Sequence, residues 1–551
     1  MMEIIKKTIQ LILNANISFT FSKDMVNRFL KMFHKNIIYI IYMILTILSV
    51  CSFYYFLNNQ LGLAYNDARS HLDIGRRVVE GLKPGIAQLG SVWLPLNHIL
   101  MIPLVWNDWA WHSGFAGAIW NMISFVGTGV LIYKILEVLN VKMIGRLFGV
   151  FVFVANLNVL YLQSTAMTEP LLLATMTAGC YYLLLWSKDE KIINLIKSSF
   201  WIMMATLVRY VGWFLLLFAG AVVAVLMLIK RGYRVAEGLL VMFGTMGVFG
   251  IFLWIVWNWT IFGDPLYFML GPFSAHAQQL VMEEAGALPT KYNLLLSIKV
   301  YFYSVFYNSV TTTAILGFLG GIILIIDKRI KPELRFASIA LMSPLFFNIL
   351  ALFFGFSVIF IQGISGDTWF NVRYGVMLMP TFAIFMGYLV NKFANLRWVI
   401  IASFLFVTFF AFANKDSVAI DDARVGSSQK NVTEVSGYLE KNTKDKPGFI
   451  LISAASHDAI IFSSNLPMKK FIHEGTGKYW ESATTTPDRW ARWIVLRTYD
   501  KSDLAYKAVG DLDSFKTMYK LVDSYPFADI YELKEEYLKD LNTEASLGKQ
   551  K

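Results

Sequence analysis

Two acidic side chains lie beside long apolar runs of the chain, where an ionisable group is costly. Asp67 belongs to the stretch YNDARSHLDIGRR, which directly follows an almost uncharged run. A carboxylate at this boundary could act as a general base. Glu169 belongs to QSTAMTEPLLLA, in a very short connection between two apolar runs, and an acid at that depth is a candidate for function. Alternatively, Glu169 is a charge at a helix N-terminus, with Thr168 as the N-cap.

Two arginines also lie beside the ends of apolar runs, at the same predicted depth in the membrane as the two acids. Arg209 is found in TLVRYVGW and Arg373 in DTWFNVRYGVMLMP, each at the end of an apolar run. Isolated arginines among aromatic residues can simply extend to a membrane surface. However, the guanidinium fork also matches phosphate oxygens well. Together with the two acids, these arginines indicate an anion site at a membrane surface.

Histidine could add a metal to this site. In a helix that includes Asp67, the side chain of His71 lies on the same face one turn later. His71 with Glu169 could therefore hold a divalent metal ion, although no HxH or HxxxH spacing supports such a site. The sequence contains no nucleophile elbow, Walker loop or dinucleotide fingerprint, so we expect no nucleotide cofactor.

The elements that must position these residues are membrane helices. Hydrophobic residues make up 56% of the 551 residues and charged residues only 16%, against about a quarter in soluble proteins. Apolar stretches of about 20 residues recur, and each is long enough to cross a bilayer. The pattern predicts a polytopic α-helical membrane protein with about eleven spans, at residues 37–58, 112–137, 145–163, 169–187, 193–209, 211–229, 236–262, 300–326, 334–358, 374–391 and 396–414.

Lysine and arginine predict the orientation of these spans. The basic residues are concentrated in alternate connections, which the positive-inside rule assigns to the cytoplasm. This predicts a cell-membrane protein with a cytoplasmic lead-in at residues 1–36. Outer loops are expected at 59–111 and 263–299, and a soluble extracytoplasmic domain at 415–551. That last segment holds 20 Lys and Arg against 21 Asp and Glu, so the net charge of +11 arises in the membrane part. Nucleic acid is therefore a poor candidate partner.

The first outer loop and the C-terminal segment have predictable local structure. Residues 67–82 form an amphipathic helix pattern, and we expect Asp73, Arg76 and Arg77 to form its polar face at the lipid headgroups. The following run VWLPLNHILMIPLVW is broken by two prolines, which favours a short interfacial or re-entrant helix over a span. In the tail, GFILISAA, AIIFSSNLP and ARWIVLRTYD suggest strands, whereas QKNVTEVSGYLEKN and DSFKTMYKLV suggest helices. Their alternation predicts a small α/β domain.

The pattern resembles the GT-C superfamily of membrane glycosyltransferases, which includes protein O-mannosyltransferases and the aminoarabinose transferase that modifies lipid A. It is similar in particular to prokaryotic and archaeal enzymes of the dolichyl-phosphate-mannose type. The resemblance covers roughly residues 37–414, the expected GT-C-like catalytic domain. The stretches that carry it are YNDARSHLDIGRRVVEGLKPGIAQLGSVWLPLNHIL, TAMTEPLLLA, LVRYVGW, IFGDPL and FNVRYGVMLMP.

The resemblance implies roles for individual residues. Asp67 matches the first-loop acid that acts as general base, and Glu169 matches a second acid that binds a divalent metal or orients substrate. The donor phosphate would be held by Arg373, Arg209 and Tyr374, and the substrates would also be bound by His71, Trp93 and His98. One departure concerns the acceptor: protein O-mannosyltransferases carry an adjacent Asp-Glu pair where this chain has Asn66-Asp67-Ala68.

The predicted activity is therefore an inverting transfer of a sugar from a polyprenyl phosphate, dolichyl or undecaprenyl, to an acceptor hydroxyl at the outer membrane face. The acceptor could be a protein, a lipid or a glycan. A transporter or lipid flippase is the alternative from another class, but it would need charged or helix-breaking residues near the membrane midplane. A third possibility is a noncatalytic receptor that uses residues 415–551.

Overall fold

The computed structural model describes residues 23–272, 274–425, 432–497 and 503–545, with the backbone alone at 23–35 and 456–457. The chain forms two compact units, Met1–Ile44 and Leu45–Lys551, and the division falls within the first helix. All side chains discussed below belong to the second unit.

Helices dominate the chain up to residue 425. In chain order they are α1 Lys23–Asn58, α2 Asn66–Val79, α3 Leu96–Met101, α4 Asp108–His112, α5 Phe115–Val138, α6 Met143–Val154, α7 Leu157–Leu162, α8 Glu169–Asp189, α9 Ile192–Thr206, α10 Val211–Arg231, α11 Tyr233–Phe262, α12 Tyr267–Leu270, α13 Ala275–Glu284, α14 Leu294–Ser309, α15 Thr311–Ile326, α16 Pro332–Ser338, α17 Ser343–Phe353, α18 Met379–Lys392, α19 Arg397–Ala413 and α20 Val418–Val425. Short 3₁₀ helices at Ile339–Met342 and Val372–Leu378 precede α17 and α18.

Within the described residues, eight segments are long and apolar enough to cross a membrane. They are Asn36–Asn58, Phe115–Val138, Glu169–Asp189, Val211–Arg231, Tyr233–Phe262, Pro332–Phe353, Val372–Lys392 and Arg397–Val425. The chain is a multi-pass α-helical membrane protein, as predicted. The other three predicted spans also coincide with apolar helices, but they differ in form. Two are the shorter helices α6 and α9, and the third, predicted as one span at 300–326, bends by 109° between α14 and α15.

The bend has a local cause. Val310 links α14 to α15 with φ 64°, so the helical hydrogen-bond ladder cannot continue through it. The residues next to it, such as Asn308, Ser309 and Thr311, are polar but uncharged, and the runs on either side are apolar and carry no proline. The hydrophobic pattern therefore predicts one continuous span.

The C-terminal segment forms a mixed sheet with short helices. Its elements are α21 Thr433–Thr443, β1 Phe449–Leu451, α22 Ala454–Ser463, β2 Phe471–Ile472, α23 Lys478–Thr485, α24 Pro487–Trp490, β3 Ala491–Leu496, α25 Leu504–Val509, α26 Asp513–Met518, β4 Tyr519–Ser524 and β5 Asp529–Leu533. The strand order is β2-β1-β3-β5-β4. β1 pairs in parallel with β2 and β3, whereas β5 pairs antiparallel with β3 and β4.

The strand predictions for this segment are partly corrected. GFILISAA and ARWIVLRTYD contain β1 and β3, but AIIFSSNLP is wrong as a strand, because its first half lies in α22. A short apolar run has no periodicity that separates a buried strand from a buried helix. Glu474 favours the helix here, since its carboxylate accepts hydrogen bonds from the N–H groups of Ala454 and Ala455. The predicted domain boundary at residue 415 remains a prediction.

The charges of α2 bind protein, which corrects the prediction that they face lipid headgroups. Arg77 forms an ion pair with Asp458 of α22 at 3.1 Å. Arg76 pairs with Glu80 at 2.5 Å and with Asp108 at 2.6 Å. Asp73 is completely buried. The C-terminal segment packs over α2, and an interaction with a distant part of the chain leaves no trace in the local pattern.

Candidate active site

Asp67 lies in the first turn of α2. The helix starts only a few residues after α1 ends at Asn58, which holds the carboxylate near the end of a membrane span. About a third of the side chain, 34%, is exposed. Asp67 is thus anchored by its helix while its carboxylate can reach solvent or a substrate.

Glu169 begins α8 and is completely buried. Thr168 occupies the N-cap position, but its side chain does not cap the helix. Instead, its hydroxyl accepts a hydrogen bond from Nη1 of Arg209 at 2.9 Å. One carboxylate oxygen of Glu169 accepts from Nε of Arg373 at 3.0 Å and from Nη1 of Arg209 at 3.1 Å. Glu169 therefore positions both arginines, which is more than a helix-terminal charge would do.

Arg373 is the centre of the cluster. It lies in the 3₁₀ helix Val372–Leu378, and its side chain is only 3% exposed. The 3₁₀ helix is fixed to α14, because the carbonyl of Val372 accepts from Ser304 at 2.7 Å and from Asn308 at 2.6 Å. Gly375 permits this approach, since a Cβ there would lie 2.3 Å from the carbonyl oxygen of Ser304. Nη2 of Arg373 donates to Oδ2 of Asp67 at 2.6 Å.

Two further residues complete the cluster, and the sequence analysis missed both. Asp422 in α20 is completely buried, and its Oδ2 lies 3.7 Å from Nη1 of Arg373. Tyr65 donates its hydroxyl to the same oxygen at 3.1 Å, and its ring lies under the Arg373 guanidinium, 4.7 Å away. Burial and the Asp422 carboxylate raise the pKa of Tyr65 well above its ordinary value, so the phenol keeps its proton.

A signal for Asp422 was present in the sequence. Asp421 and Asp422 follow the last predicted span almost immediately, as Asp67 follows the first. Because everything after residue 414 was assigned to a separate soluble domain, Asp422 was not considered as a residue of the membrane site.

Aromatic rings cover the arginines on the cavity side. The Arg209 guanidinium lies 4.5 Å from the ring centre of Tyr374, and Arg373 lies 5.4 Å from the same ring. Such contacts orient a guanidinium while leaving its in-plane N–H groups for other partners. Tyr374 is thus placed beside both predicted phosphate-binding arginines.

The histidines form a pair behind Trp93. Nδ1 of His71 lies 2.8 Å from Nε2 of His98, and the His71 ring centre is 4.4 Å from that of Trp93. Burial, aided by Arg209 and Arg373, lowers the pKa of His71 to about 3. The neutral ring can then donate one hydrogen bond and accept another. His98 is completely buried and is not part of the cavity wall, so it acts on the site through its contacts with His71 and with Trp93, whose ring centre lies 6.4 Å from its own.

The donor set does not fit the predicted metal. Among the described residues, no group of three or more His, Cys, Asp and Glu side chains is arranged to hold a metal ion. The two predicted ligands have other partners: Glu169 binds the two arginines and His71 binds His98. Glu169 retains one buried oxygen without a hydrogen-bond partner among the described residues, but a single oxygen is not a metal site.

These residues surround a cavity of about 200 Å³. Its polar wall contains Asp67, His71, Arg209, Arg373 and Tyr374. The remaining wall is largely apolar, formed by Trp93, Leu94, Tyr210, Val211, Phe347, Phe356 and Met377. We name this space the arginine cavity. It brings together an acid, two arginines and an apolar surface, whereas Glu169 and Asp422 support it from behind.

Comparison with known proteins supports the fold. No family model matches the sequence, and no curated protein matches it. ArnT from Cupriavidus metallidurans bound to undecaprenyl phosphate has a TM-score of 0.54 and 11% identity, over 89% of this chain and 98% of that chain. ArnT in the apo state has a TM-score of 0.50, with the same identity and coverage. The Archaeoglobus fulgidus oligosaccharyltransferase tethered with an acceptor peptide has a TM-score of 0.47 and 11% identity, over 92% of this chain and 75% of that chain.

The chain therefore shares the fold of ArnT. The likeness to ArnT covers nearly all of that chain and most of this one.

Proposed function

We propose that this protein transfers a sugar, with inversion, from a polyprenyl phosphate to an acceptor hydroxyl at the outer membrane face. The observation that carries the proposal is the contact of Arg373 with Asp67 at the arginine cavity. It joins an anion-binding group to a potential base. ArnT, which shares the fold, is described bound to undecaprenyl phosphate, and this supports a lipid-phosphate donor here.

The charges of the cluster indicate how a donor would enter. Three carboxylates, of Asp67, Glu169 and Asp422, face two guanidiniums, so a phosphate that binds Arg373 competes with a carboxylate. Glu169 and Asp422 are completely buried, whereas Asp67 is partly exposed and lines the cavity. Asp67 is therefore the carboxylate that yields its place on Arg373. Donor binding would free the base at the moment when the sugar arrives.

The reaction then needs one proton transfer and one substitution. Asp67 takes the proton of the acceptor hydroxyl, whose oxygen forms a bond to the anomeric carbon. The bond from that carbon to the phosphate oxygen breaks, and its electron pair leaves with the lipid phosphate. Arg373 and Arg209 stabilise the charge that grows on this leaving group. Glu169, Asp422 and Tyr65 keep the Arg373 fork in place. No step requires a metal or a nucleotide.

The proposal also includes the membrane in which the protein lies and its orientation there. The basic connections favour a cell-membrane protein with a cytoplasmic N-terminus, and the apolar wall of the arginine cavity suits a lipid chain in the bilayer. The sugar, and whether the lipid is dolichyl or undecaprenyl, are left to the assay.

The test is transfer of label from a radiolabelled polyprenyl-phosphate sugar in membranes that contain the full chain. Asp67→Asn should lower the transfer rate at least about 100-fold, with unchanged thermal unfolding in detergent. Asp108→Asn is the matched control, since Asp108 also lies in the first outer loop and pairs with an arginine, but its side chain is 76% exposed. Full activity of Asp67→Asn would refute the base. Movement of the lipid across the membrane without sugar transfer would favour the flippase alternative.

A further inference from the structure

A second and larger cavity lies beside the arginine cavity. It encloses about 430 Å³ between α2, the first outer loop and the C-terminal segment. This is within the range of about 300–1,000 Å³ that is typical of small-molecule sites. The wall residues that matter to its chemistry are Ser70, Arg77, Gln88, Trp93, Asp458 and Glu474. We name this space the loop cavity.

The charges on the wall of the loop cavity are bound to other protein groups. Arg77 forms its ion pair with Asp458 at 3.1 Å. Both carboxylate oxygens of Glu474 accept N–H groups at the start of α22. His473 is neutral, because burial and the nearby Arg77 lower its pKa to about 3. An anionic ligand would therefore meet one paired arginine and two carboxylates, which disfavours phosphorylated or acidic molecules.

The uncharged wall groups suit a polyhydroxylated ligand. Amide and hydroxyl side chains line the cavity, at Ser70, Gln88, Ser91, Tyr267 and Gln278. Such groups both donate and accept hydrogen bonds, as sugar hydroxyls do. At Gln88 the carbonyl oxygen is the group left for a ligand, because its amide nitrogen donates to the carbonyls of Lys83 and Gly475. Trp93 adds a flat apolar surface with 36% of its area exposed. A few polar groups around an aromatic platform orient a small ligand and give specificity.

Trp93 also connects the two cavities. It lines both of them, together with Val92. On α2, Asp67 lines the arginine cavity and Ser70, three residues later, lines the loop cavity. A molecule in the loop cavity that extends past Trp93 would bring a hydroxyl towards Asp67.

We propose that the loop cavity binds the acceptor, and that the acceptor is a neutral glycan. The role as acceptor rests on the proposed glycosyltransferase function, whereas the binding of neutral saccharides does not. Phosphorylated glycans and polypeptides are the alternative ligands, and the experiment below compares them with neutral saccharides.

The experiment measures saccharide binding directly, by saturation-transfer NMR on the full chain in detergent. The ligands are maltotriose, chitotriose and mannotriose, compared with glucose 6-phosphate and with a serine- and threonine-containing peptide. At least one neutral trisaccharide should give the strongest signal. Ala455→Trp and Ala87→Trp, which fill the cavity from two different segments of the chain at exposed alanines, should each reduce this signal at least fivefold.

Controls separate this inference from the proposed function. Ala545→Trp, at an exposed alanine outside the cavity wall, should leave the saccharide signal unchanged. Asp67→Asn should also keep it, while losing transfer. A signal that is equal in wild type and both cavity variants, absent for all three trisaccharides, or stronger for the phosphate or the peptide would overturn the inference. Normal saccharide binding with no sugar transfer by the wild-type protein would instead overturn the proposed function alone.

Discussion

Nη2 of Arg373 donates a hydrogen bond to Oδ2 of Asp67 at 2.6 Å, although 306 positions separate the two residues in the chain. The contact joins α2, which follows the first membrane helix, to the 3₁₀ helix that precedes α18. It places the proposed base on the group that would bind the leaving phosphate, so the two functions compete for one guanidinium. This competition can be measured.

Asp67→Asn should have opposite effects on turnover and on phosphate affinity. The amide cannot take a proton, so transfer fails. It also removes a negative charge that competes for Arg373, so the unreactive product, a polyprenyl phosphate, should bind about three- to tenfold more tightly, which is up to about 1.4 kcal/mol. Binding to the purified protein can be followed by its intrinsic fluorescence. Weaker lipid-phosphate binding in this variant would contradict the displacement of Asp67.

Arg373→Gln should destabilise the protein as well as inactivate it. The change leaves two fully buried carboxylates, of Glu169 and Asp422, without this cation, and breaking a buried pair typically costs about 3–5 kcal/mol. Arg373→Lys keeps the charge but cannot reach three carboxylates with one ammonium, so it should fold better and still lose at least about 100-fold in transfer.

Arg231→Lys is the control for this pair of variants. Arg231 contacts Glu190 at 2.9 Å, but its side chain is 60% exposed. Its replacement should change stability by less than about 0.5 kcal/mol. The stabilities of the two Arg373 variants and of Arg231→Lys can be compared by thermal unfolding in one detergent. If Arg373→Lys transferred sugar at the wild-type rate, the fork would have no role.

Tyr65 and Asp422 should act as one unit. Tyr65→Phe removes a hydrogen bond to a charged, buried group, which is worth about 1.5–3 kcal/mol. In an Asp422→Asn background the same change should cost clearly less, because the charged acceptor is already gone. A double-mutant cycle on unfolding midpoints measures this coupling. Strictly additive effects would mean that the Tyr65 hydroxyl does not support the Asp422 carboxylate.

Acidification should weaken the fold through its buried histidines. The pKa of His71 and that of His473 are lowered to about 3, chiefly by burial, whereas a histidine of the unfolded chain has a pKa near 6.5. Between these values only the unfolded chain binds the protons. The contribution of these two histidines to stability is therefore complete above pH 6.5 and falls as the pH decreases, by up to about 1.4 kcal/mol per pH unit for each histidine.

The histidine contribution can be isolated by a single substitution. His473→Asn removes one of these groups, so the fall in stability between pH 6.5 and pH 5 should be less steep by about that amount for one histidine. The measurement is thermal unfolding of both proteins across the pH range. An identical slope in wild type and variant would contradict a neutral, buried His473.

Local patterns in the sequence were sufficient for much of the fold. Long apolar runs require membrane helices, and nearly every predicted span coincides with one. The predicted helix at residues 67–82 is α2, because its apolar spacing follows the helical period. The bend at Val310 escaped prediction, since the residues around it are uncharged and hydropathy does not report a backbone angle.

The sequence by itself determined the membrane class, the helix that carries Asp67, and the residue types suited to a base and an anion site. These follow from hydrophobic period and from the cost of charge beside a membrane, which are local properties. Only the tertiary structure decided which charges meet. It joined Asp67, Glu169 and Asp422 around Arg373, gave the charges of α2 protein partners, and opened a second cavity under the C-terminal segment. Such pairings depend on packing between residues hundreds of positions apart, and a local sequence pattern carries no information about that packing.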